Sequence, residues 1–109
     1  MPTLRFHGFE SDKIKEVSVA MVKELATLCE IPEDYFNLEI IQSKFIEQGE
    51  YVAGFPIVEV HAFKREDSVE DEFAKIVCRY VQSVGYAESE LYFIHLQARH
   101  YYNTGTPYA

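Results

Sequence analysis

Apolar and polar residues alternate over residues 3–9, and this alternation predicts a β-strand. Leu4, Phe6 and Gly8 share one face of the predicted strand, and Arg5, His7 and Phe9 share the other. Ser11 is predicted to be the N-cap of a helix that runs to about Cys29. Its apolar residues recur with helical spacing and predict a buried stripe of Ile14, Val17, Met21, Leu25 and Leu28. Pro32 ends this segment, a second strand is predicted from 36 to 41 with a possible extension towards 46, and 47–54 is predicted as a loop.

The same pattern begins again 54 residues later. Pro56, His61 and Phe63 repeat the proline, histidine and phenylalanine of residues 2–9 in register. Ser68 is predicted to cap a second helix, with Asp71 returning the hydrogen bond as in a capping box. The predicted stripe of this helix is Val69, Phe73, Ile76, Tyr80 and Val84, and a fourth strand is predicted over 91–96.

The repeat predicts a single α+β domain over residues 1–109, made of two pseudo-repeated β-α-β units at about 2–54 and 55–109. A strand, a crossover helix and a second strand favour parallel pairing and a right-handed connection within each unit. We therefore expect a two-layer, four-stranded mixed sheet with both helices on one face. The opposite face would carry Arg5, His7, Glu59 and His61, and we expect other subunits of a homotrimer to cover it.

Composition narrows the possible partners. The net charge of −8 disfavours nucleic-acid binding because phosphate backbones are repelled. No apolar run approaches the roughly 20 residues of a membrane helix, and the amino terminus does not resemble a secretory signal. Cys29 and Cys78 have no zinc or redox spacing, so we expect buried free thiols and a cytoplasmic location.

Pro2 is the candidate catalytic residue. If Met1 is removed, the Pro2 nitrogen becomes a free secondary amine at the start of a strand. An amine near apolar side chains has its pKa lowered towards neutrality, as a general base requires. The alternative interpretation is that Pro2 only begins a strand, where a missing backbone donor is tolerated.

With this proline and the doubled unit, the chain resembles members of the tautomerase superfamily, especially those like macrophage migration inhibitory factor. An uncharacterised, mainly bacterial subfamily has a similar length, start and Tyr-Tyr-containing tail. The resemblance implies a catalytic amino-terminal proline, trimers of two-unit chains and no cofactor. It aligns Pro2 with that proline and 32–35 with a Pro-x-x-Tyr turn. It also makes Phe63 an apolar wall, Arg65 a basic group and Tyr92 a tyrosine contributed by a neighbouring subunit.

Three positions depart from the superfamily pattern. Ile31 replaces a substrate-binding lysine, Ile94 replaces an asparagine, and Glu39 stands where the short oxalocrotonate enzymes carry an arginine. The resemblance therefore implies a retained base with an altered carboxylate clamp.

Two function classes follow. The first is a keto-enol isomerase for a small 2-oxo acid, with Pro2 as base and Arg65, Lys44, Arg5 and Tyr92 as candidate stabilisers of the enolate. The second is a non-catalytic trimeric module for binding or structure. Four histidines have no recognised metal-ligand spacing, so we expect no metal, and no Ser-His-Asp set can be argued from residue order alone. The role of the Tyr101-Tyr102 tail stays open.

Overall fold

The computed structural model describes residues 2–109, so Met1 lies outside the described residues. The described residues form ten helices and strands, in the order β1 Thr3–His7, α1 Ser11–Cys29, β2 Asn37–Ile41, β3 Phe45–Glu47, β4 Glu50–Val52, β5 Ile57–Phe63, α2 Asp67–Ser83, β6 Glu90–Leu96, β7 Tyr102–Asn103 and β8 Thr106–Pro107. Short 3-10 turns lie at Glu33–Tyr35 and Ala98–His100.

The main sheet has the strand order β2-β1-β5-β6. β1 pairs in parallel with β2, and β5 pairs in parallel with β6, as expected for strands joined by crossover helices. The two central strands are antiparallel, with Thr3 opposite His61 and Arg5 opposite Glu59. The predicted α+β fold, with two helices on a four-stranded mixed sheet, is confirmed.

The core lies between the sheet and the two helices. Leu4, Phe6, Val58 and Val60 are completely or almost completely buried, which confirms the predicted strand phase. α1 contributes Ile14, Met21, Leu25 and Ala26, and α2 contributes Phe73, Ile76, Val77 and Val81. The predicted buried stripe of α2 omits Val77 and Val81 and includes Val69, Tyr80 and Val84, which the structure does not bury fully. Val69 and Val84 lie at the two ends of the helix, and the Tyr80 hydroxyl turns towards Glu24.

The first strand is shorter than predicted because of Gly8. β1 ends at His7, and Gly8 has a φ of 77°. A Cβ atom at Gly8 would lie 2.7 Å from the carbonyl oxygen of Phe55, so a side chain there would collide with backbone. The turn moves Phe9 off the open face and into the core, where its ring packs edge-on 5.5 Å from Phe6. The predicted position of Phe9 is therefore wrong.

The predicted helix caps are also wrong. The N-cap residues are Glu10 and Glu66, and neither makes a side-chain capping bond. The backbone carbonyl of Glu66 accepts a hydrogen bond from the N–H of Val69 at 3.0 Å, so Ser68 already lies in the first helical turn. Ser68 and Asp71 therefore form no capping box. Ser11 likewise begins α1 rather than capping it.

Part of the predicted loop is a hairpin. β3 and β4 pair through Phe45–Val52 and Ile46–Tyr51, across a turn at Gln48 and Gly49. Both turn residues have positive φ, 51° and 78°, as a two-residue type I′ hairpin turn requires. The hairpin leaves Ile46 and Tyr51 68% and 72% exposed, so it presents apolar surface outside the core.

Candidate functional site

Pro2 lies at the amino end of β1, and its side chain is completely buried. Its carbonyl oxygen accepts a hydrogen bond from the N–H of Asn37 at 3.0 Å, which ties the start of β1 to β2. The antiparallel register places Ala62 across from Pro2, and Phe63 one residue further along β5. Pro2 is therefore next to the carboxyl end of β5.

Phe63 and Arg65 occupy this same end of the sheet. The Phe63 ring contacts Tyr101 and Tyr108 at centroid distances of 5.5 and 5.9 Å. Arg65 donates from Nη1 to the Phe63 carbonyl at 3.4 Å. The pKa of the nearby Cys29 thiol is raised by burial, and the positive charge of Arg65 opposes that shift. The carboxy-terminal tail thus forms an aromatic wall beside a cationic group.

Arg5 and Tyr92 lie elsewhere, on the face of the sheet opposite the helices. Arg5 is three residues along β1 from Pro2, or roughly 10 Å at the rise of a strand. Its Nε lies 3.9 Å from the Glu39 carboxylate and, in the described part of the chain, is buried without a hydrogen-bond partner. Partial burial and the negative charge of Glu59 raise the pKa of Tyr92. Within one chain these two residues are not brought together with Pro2.

Glu59 is the centre of a polar cluster on this open face. His61 donates to its carboxylate at 3.1 Å, and His7 contacts the other carboxylate oxygen through Nε2. The hydrogen bond from His61, then that from His7, hold the pKa of Glu59 below its usual range against the effect of partial burial. The open face is therefore predominantly polar at its centre.

Lys44 lies at the other end of the sheet, after the last residue of β2. Its Nζ is 5.2 Å from the centroid of the Tyr51 ring in the β3–β4 hairpin. Since β1 and β2 are parallel, residues after Ile41 lie at the end of the sheet opposite Pro2. Lys44 is thus separated from Pro2 and Arg65 within one chain.

The structure also contains features that sequence reasoning missed. A cleft of about 490 Å³ opens beyond the carboxyl ends of β1 and β2, with Gly8, Ser11, Lys13, Ser43 and Tyr86 among its lining residues. The parallel pairing of two strands before a helix start is the signal that could have located it.

His95 and Glu70 form a second pair at 2.9 Å near the start of α2. Residues 2–109 contain no group of three or more His, Cys, Asp or Glu side chains suited to a metal ion.

The fold, with its strand order and two crossover helices, is shared with solved structures of the tautomerase class. The chain resembles a macrophage migration inhibitory factor-like protein from Entamoeba histolytica, with a TM-score of 0.69, 12% identity and coverage of 97% of both chains. It also resembles a fused 4-OT that forms an asymmetric trimer, with a TM-score of 0.81, 9% identity and coverage of 97% of this chain and 95% of that one. At these identities the likeness shows the fold alone.

The chain belongs to the DUF1904 family, described as a domain of unknown function, whose model matches residues 1–107. A crystal structure of a DUF1904 domain from Sebaldella termitidis is 25% identical, with a TM-score of 0.92 and coverage of 98% of this chain and 99% of that one. None of the curated proteins matches the chain. No helix within residues 2–109 is both long and apolar enough to cross a membrane.

Proposed function

We propose that this chain is a cofactor-independent tautomerase in which Pro2, after removal of Met1, moves a proton between carbon and oxygen of a small enolised 2-oxo acid. The observation that carries the proposal is the position of Pro2 in the fold. It begins a central strand of a tautomerase-type sheet and lies beside Phe63 and the backbone that leads to Arg65.

The chemistry depends on the state of the Pro2 nitrogen. While Met1 is attached, this nitrogen is a tertiary amide and cannot accept a proton. Removal of Met1 would make it a secondary amine next to the buried ring of Pro2. Apolar surroundings disfavour the ammonium form, so they lower the pKa of such an amine. A base with a pKa near the working pH transfers protons most effectively.

Arg65 is the proposed group for the substrate carboxylate. In the described part of the chain it forms no ion pair, and its Nη1 makes only a long hydrogen bond to a carbonyl. Its planar guanidinium can therefore bind a carboxylate through two parallel hydrogen bonds. Phe63, with the tail tyrosines packed on its ring, would supply the apolar side of the site.

A homotrimer would complete the site. The open face holds Arg5 with an unsatisfied Nε and Tyr92 45% exposed, and β2 and β6 are unpaired sheet edges. Closed three-fold packing of these faces would bring Arg5 and Tyr92 of a neighbour towards Pro2, and would allow Lys44 to reach another subunit's site. The fused 4-OT relative is itself a trimer. The proposed partners are this homotrimer and a small-molecule substrate, in a cytoplasmic setting without nucleic acid.

A non-catalytic trimeric module of the same fold is the second candidate. The complete burial of the Pro2 ring favours it, because packing alone explains a proline at that position. Ile31 and Ile94, which replace polar groups of the superfamily pattern, point the same way.

The test is a panel of enolised 2-oxo acids assayed with Met1-free protein, with Pro2→Ala and with Pro56→Ala. Pro56 is the matched control because its carbonyl accepts a hydrogen bond from the N–H of Glu90 at 3.0 Å. The carbonyl of Pro2 accepts the equivalent hydrogen bond from the N–H of Asn37. We expect Pro2→Ala to slow ketonisation by about 10²–10⁴-fold, the usual contribution of a general base, and Pro56→Ala to retain the rate. Arg65→Lys should raise KM more than it lowers kcat, because it removes the bidentate contact.

Equal rates for Pro2→Ala and the parent protein would remove Pro2 from the mechanism. If the protein turns over none of the substrates, the non-catalytic module is favoured.

A further inference from the structure

Three side chains lie in series at the end of the sheet opposite Pro2. Ser43 Oγ is 3.5 Å from His7 Nδ1, and His7 Nε2 is bonded to the carboxylate of Glu59. Ser43 belongs to the loop after β2, His7 is the last residue of β1, and Glu59 lies in β5. All three line a small cavity of about 170 Å³, together with Phe45, Ile57 and Tyr92.

We propose that Ser43, His7 and Glu59 form a second active site that hydrolyses small carboxylic esters, with Ser43 as nucleophile and His7 as general base. Glu59 is a positioning residue that fixes the imidazole. Such a constellation is identified by its geometry and not by the order of its residues along the chain. Ser43 Oγ and His7 Nδ1 lie 3.5 Å apart, at the outer limit of a hydrogen bond, so substrate binding would have to draw the nucleophile and the base together.

The contacts of Glu59 select the tautomer that the chemistry needs. A carboxylate accepts a hydrogen bond but cannot donate one, so His7 Nε2 must carry the proton. His7 Nδ1 is then free to accept the Ser43 proton. His61 binds the other carboxylate oxygen of Glu59 at 3.1 Å and restrains its orientation. The His7 and Glu59 side chains are only 20% and 15% exposed, so the pair is shielded from water.

Ser43 can also be approached from the larger cleft of about 490 Å³, which it lines together with Ser11 and Lys13. Ser11 begins α1, a helix of 19 residues, in whose first turn the Lys13 N–H donates to the Glu10 carbonyl at 3.2 Å, so the N–H groups of Ser11 and Asp12 are the ones without partners within the helix. The positive end of the helix would favour the oxyanion that forms when Ser43 attacks an acyl carbon. The apolar residues Phe45 and Ile57 of the smaller cavity suit a short acyl group.

The reaction balances with water as the only co-reactant. Ser43 Oγ bonds to the acyl carbon while its proton passes to His7 Nδ1. The bond from the acyl carbon to the alcohol oxygen breaks, and that oxygen receives the proton from His7. Water then repeats the sequence on the acyl-serine, releases the carboxylic acid and restores the Ser43 hydroxyl.

This site does not depend on the proposed tautomerase function. His7 is five residues from Pro2 along β1, which is roughly 17 Å at the rise of a strand. The larger cleft opens beyond the strand ends. A subunit packed on the open face would therefore cover His7 and Glu59 and leave access to Ser43 from that cleft.

The test combines p-nitrophenyl acetate hydrolysis with labelling by a fluorophosphonate probe, mapped by mass spectrometry on the full chain. We expect the probe to label Ser43. Ser43→Ala should lose the label and lower the enzyme-catalysed rate at least 100-fold, and His7→Gln should do the same with Ser43 present. Ser18→Ala is the matched control, since Ser18 lies half-buried on α1, outside both cavities, and donates to the Lys15 carbonyl at 2.8 Å. It should change neither readout.

Two further variants separate catalysis from folding. Glu59→Gln keeps nucleophile and base, and should alter the pH dependence of hydrolysis because an amide holds the imidazole differently. Ser43→Cys should be alkylated by iodoacetamide faster with His7 present than in the double variant with His7→Gln. Absence of labelling at Ser43, a parental rate in Ser43→Ala, or alkylation that is independent of His7 would each overturn the proposal.

Discussion

Val60 offers a sharp test of the core because the chain supplies a matched control. Val60 is completely buried in β5, between Leu4 of β1 and Phe93 of β6. Val60→Ala removes two methyl groups, worth about 0.8 kcal/mol each in transfer free energy, and leaves a cavity. We expect the free energy of unfolding to fall by about 2–3 kcal/mol.

Val19→Ala makes the same chemical change at a residue of α1 that is 77% exposed. Alanine is the better helix former by about 0.5 kcal/mol, so this variant should be unchanged or slightly more stable. Both are measured by urea unfolding at one fixed protein concentration, because assembly contributes to stability. Equal losses for the two variants, or none for Val60→Ala, would refute the assigned strand phase.

Phe6→Ala extends the same reasoning to β1. Phe6 is completely buried and its ring packs edge-on against Phe9, so we expect a loss of about 3–5 kcal/mol and a Tm lower by about 10–20 °C. An unchanged melting curve would contradict it.

Other predictions concern a turn, an ion pair and assembly. Gly49 has a φ of 78° and open space around it, so Gly49→Ala should lower the free energy of unfolding by about 1–2 kcal/mol. Gly8→Ala should lower it more, because the added Cβ would lie 2.7 Å from the carbonyl oxygen of Phe55. Equal losses in urea unfolding would contradict this. Arg79, then the Tyr80 hydroxyl, lower the pKa of Glu24 to about 2. A carboxylate whose pKa is lower in the folded state stabilises the fold at pH values above its unfolded-state pKa, and this stabilisation is lost as the pH falls. The Tm advantage of the parent over Glu24→Gln should therefore shrink from pH 4.5 to pH 2. A constant difference in Tm would contradict this prediction. Sedimentation equilibrium should give a trimer mass, and a monomer mass in dilute solution would exclude the proposed assembly.

The fold was predictable because strong patterns coincided. Alternation over residues 3–7 and 57–63 placed both central strands with the correct face inward, and helical spacing located α1 and α2. The hairpins were missed because their turns place Gln48 and Thr104 at positive φ, at positions where asparagine or glycine is the usual signal. The position of Phe9 was predicted wrongly because alternation does not show where a strand ends, and the positive φ of Gly8 ends β1 before Phe9.

The candidate sites were only partly predictable. The position of Pro2 at the carboxyl end of β5 follows from the antiparallel register of β1 and β5, which no local pattern in the sequence indicates. The approach of Ser43 to His7 depends on how a loop after β2 returns towards β1, which no periodicity encodes. The roles of Pro2, Arg65, Phe63, Tyr92, Lys44 and Arg5 stay predictions.

The state of the Pro2 nitrogen tests the proposed function most directly. A preparation with an amino-terminal extension that a protease removes immediately before Pro2 can be assayed before and after cleavage, with mass spectrometry to verify the new amino terminus. The two samples share every residue from Pro2 onwards and differ in the extension, which makes this nitrogen an amide; sedimentation equilibrium of both samples controls for assembly. We predict that ketonisation of an enolised 2-oxo acid appears only after cleavage, with a pH dependence that reports an amine of near-neutral pKa. The same rate before and after cleavage would contradict a catalytic Pro2.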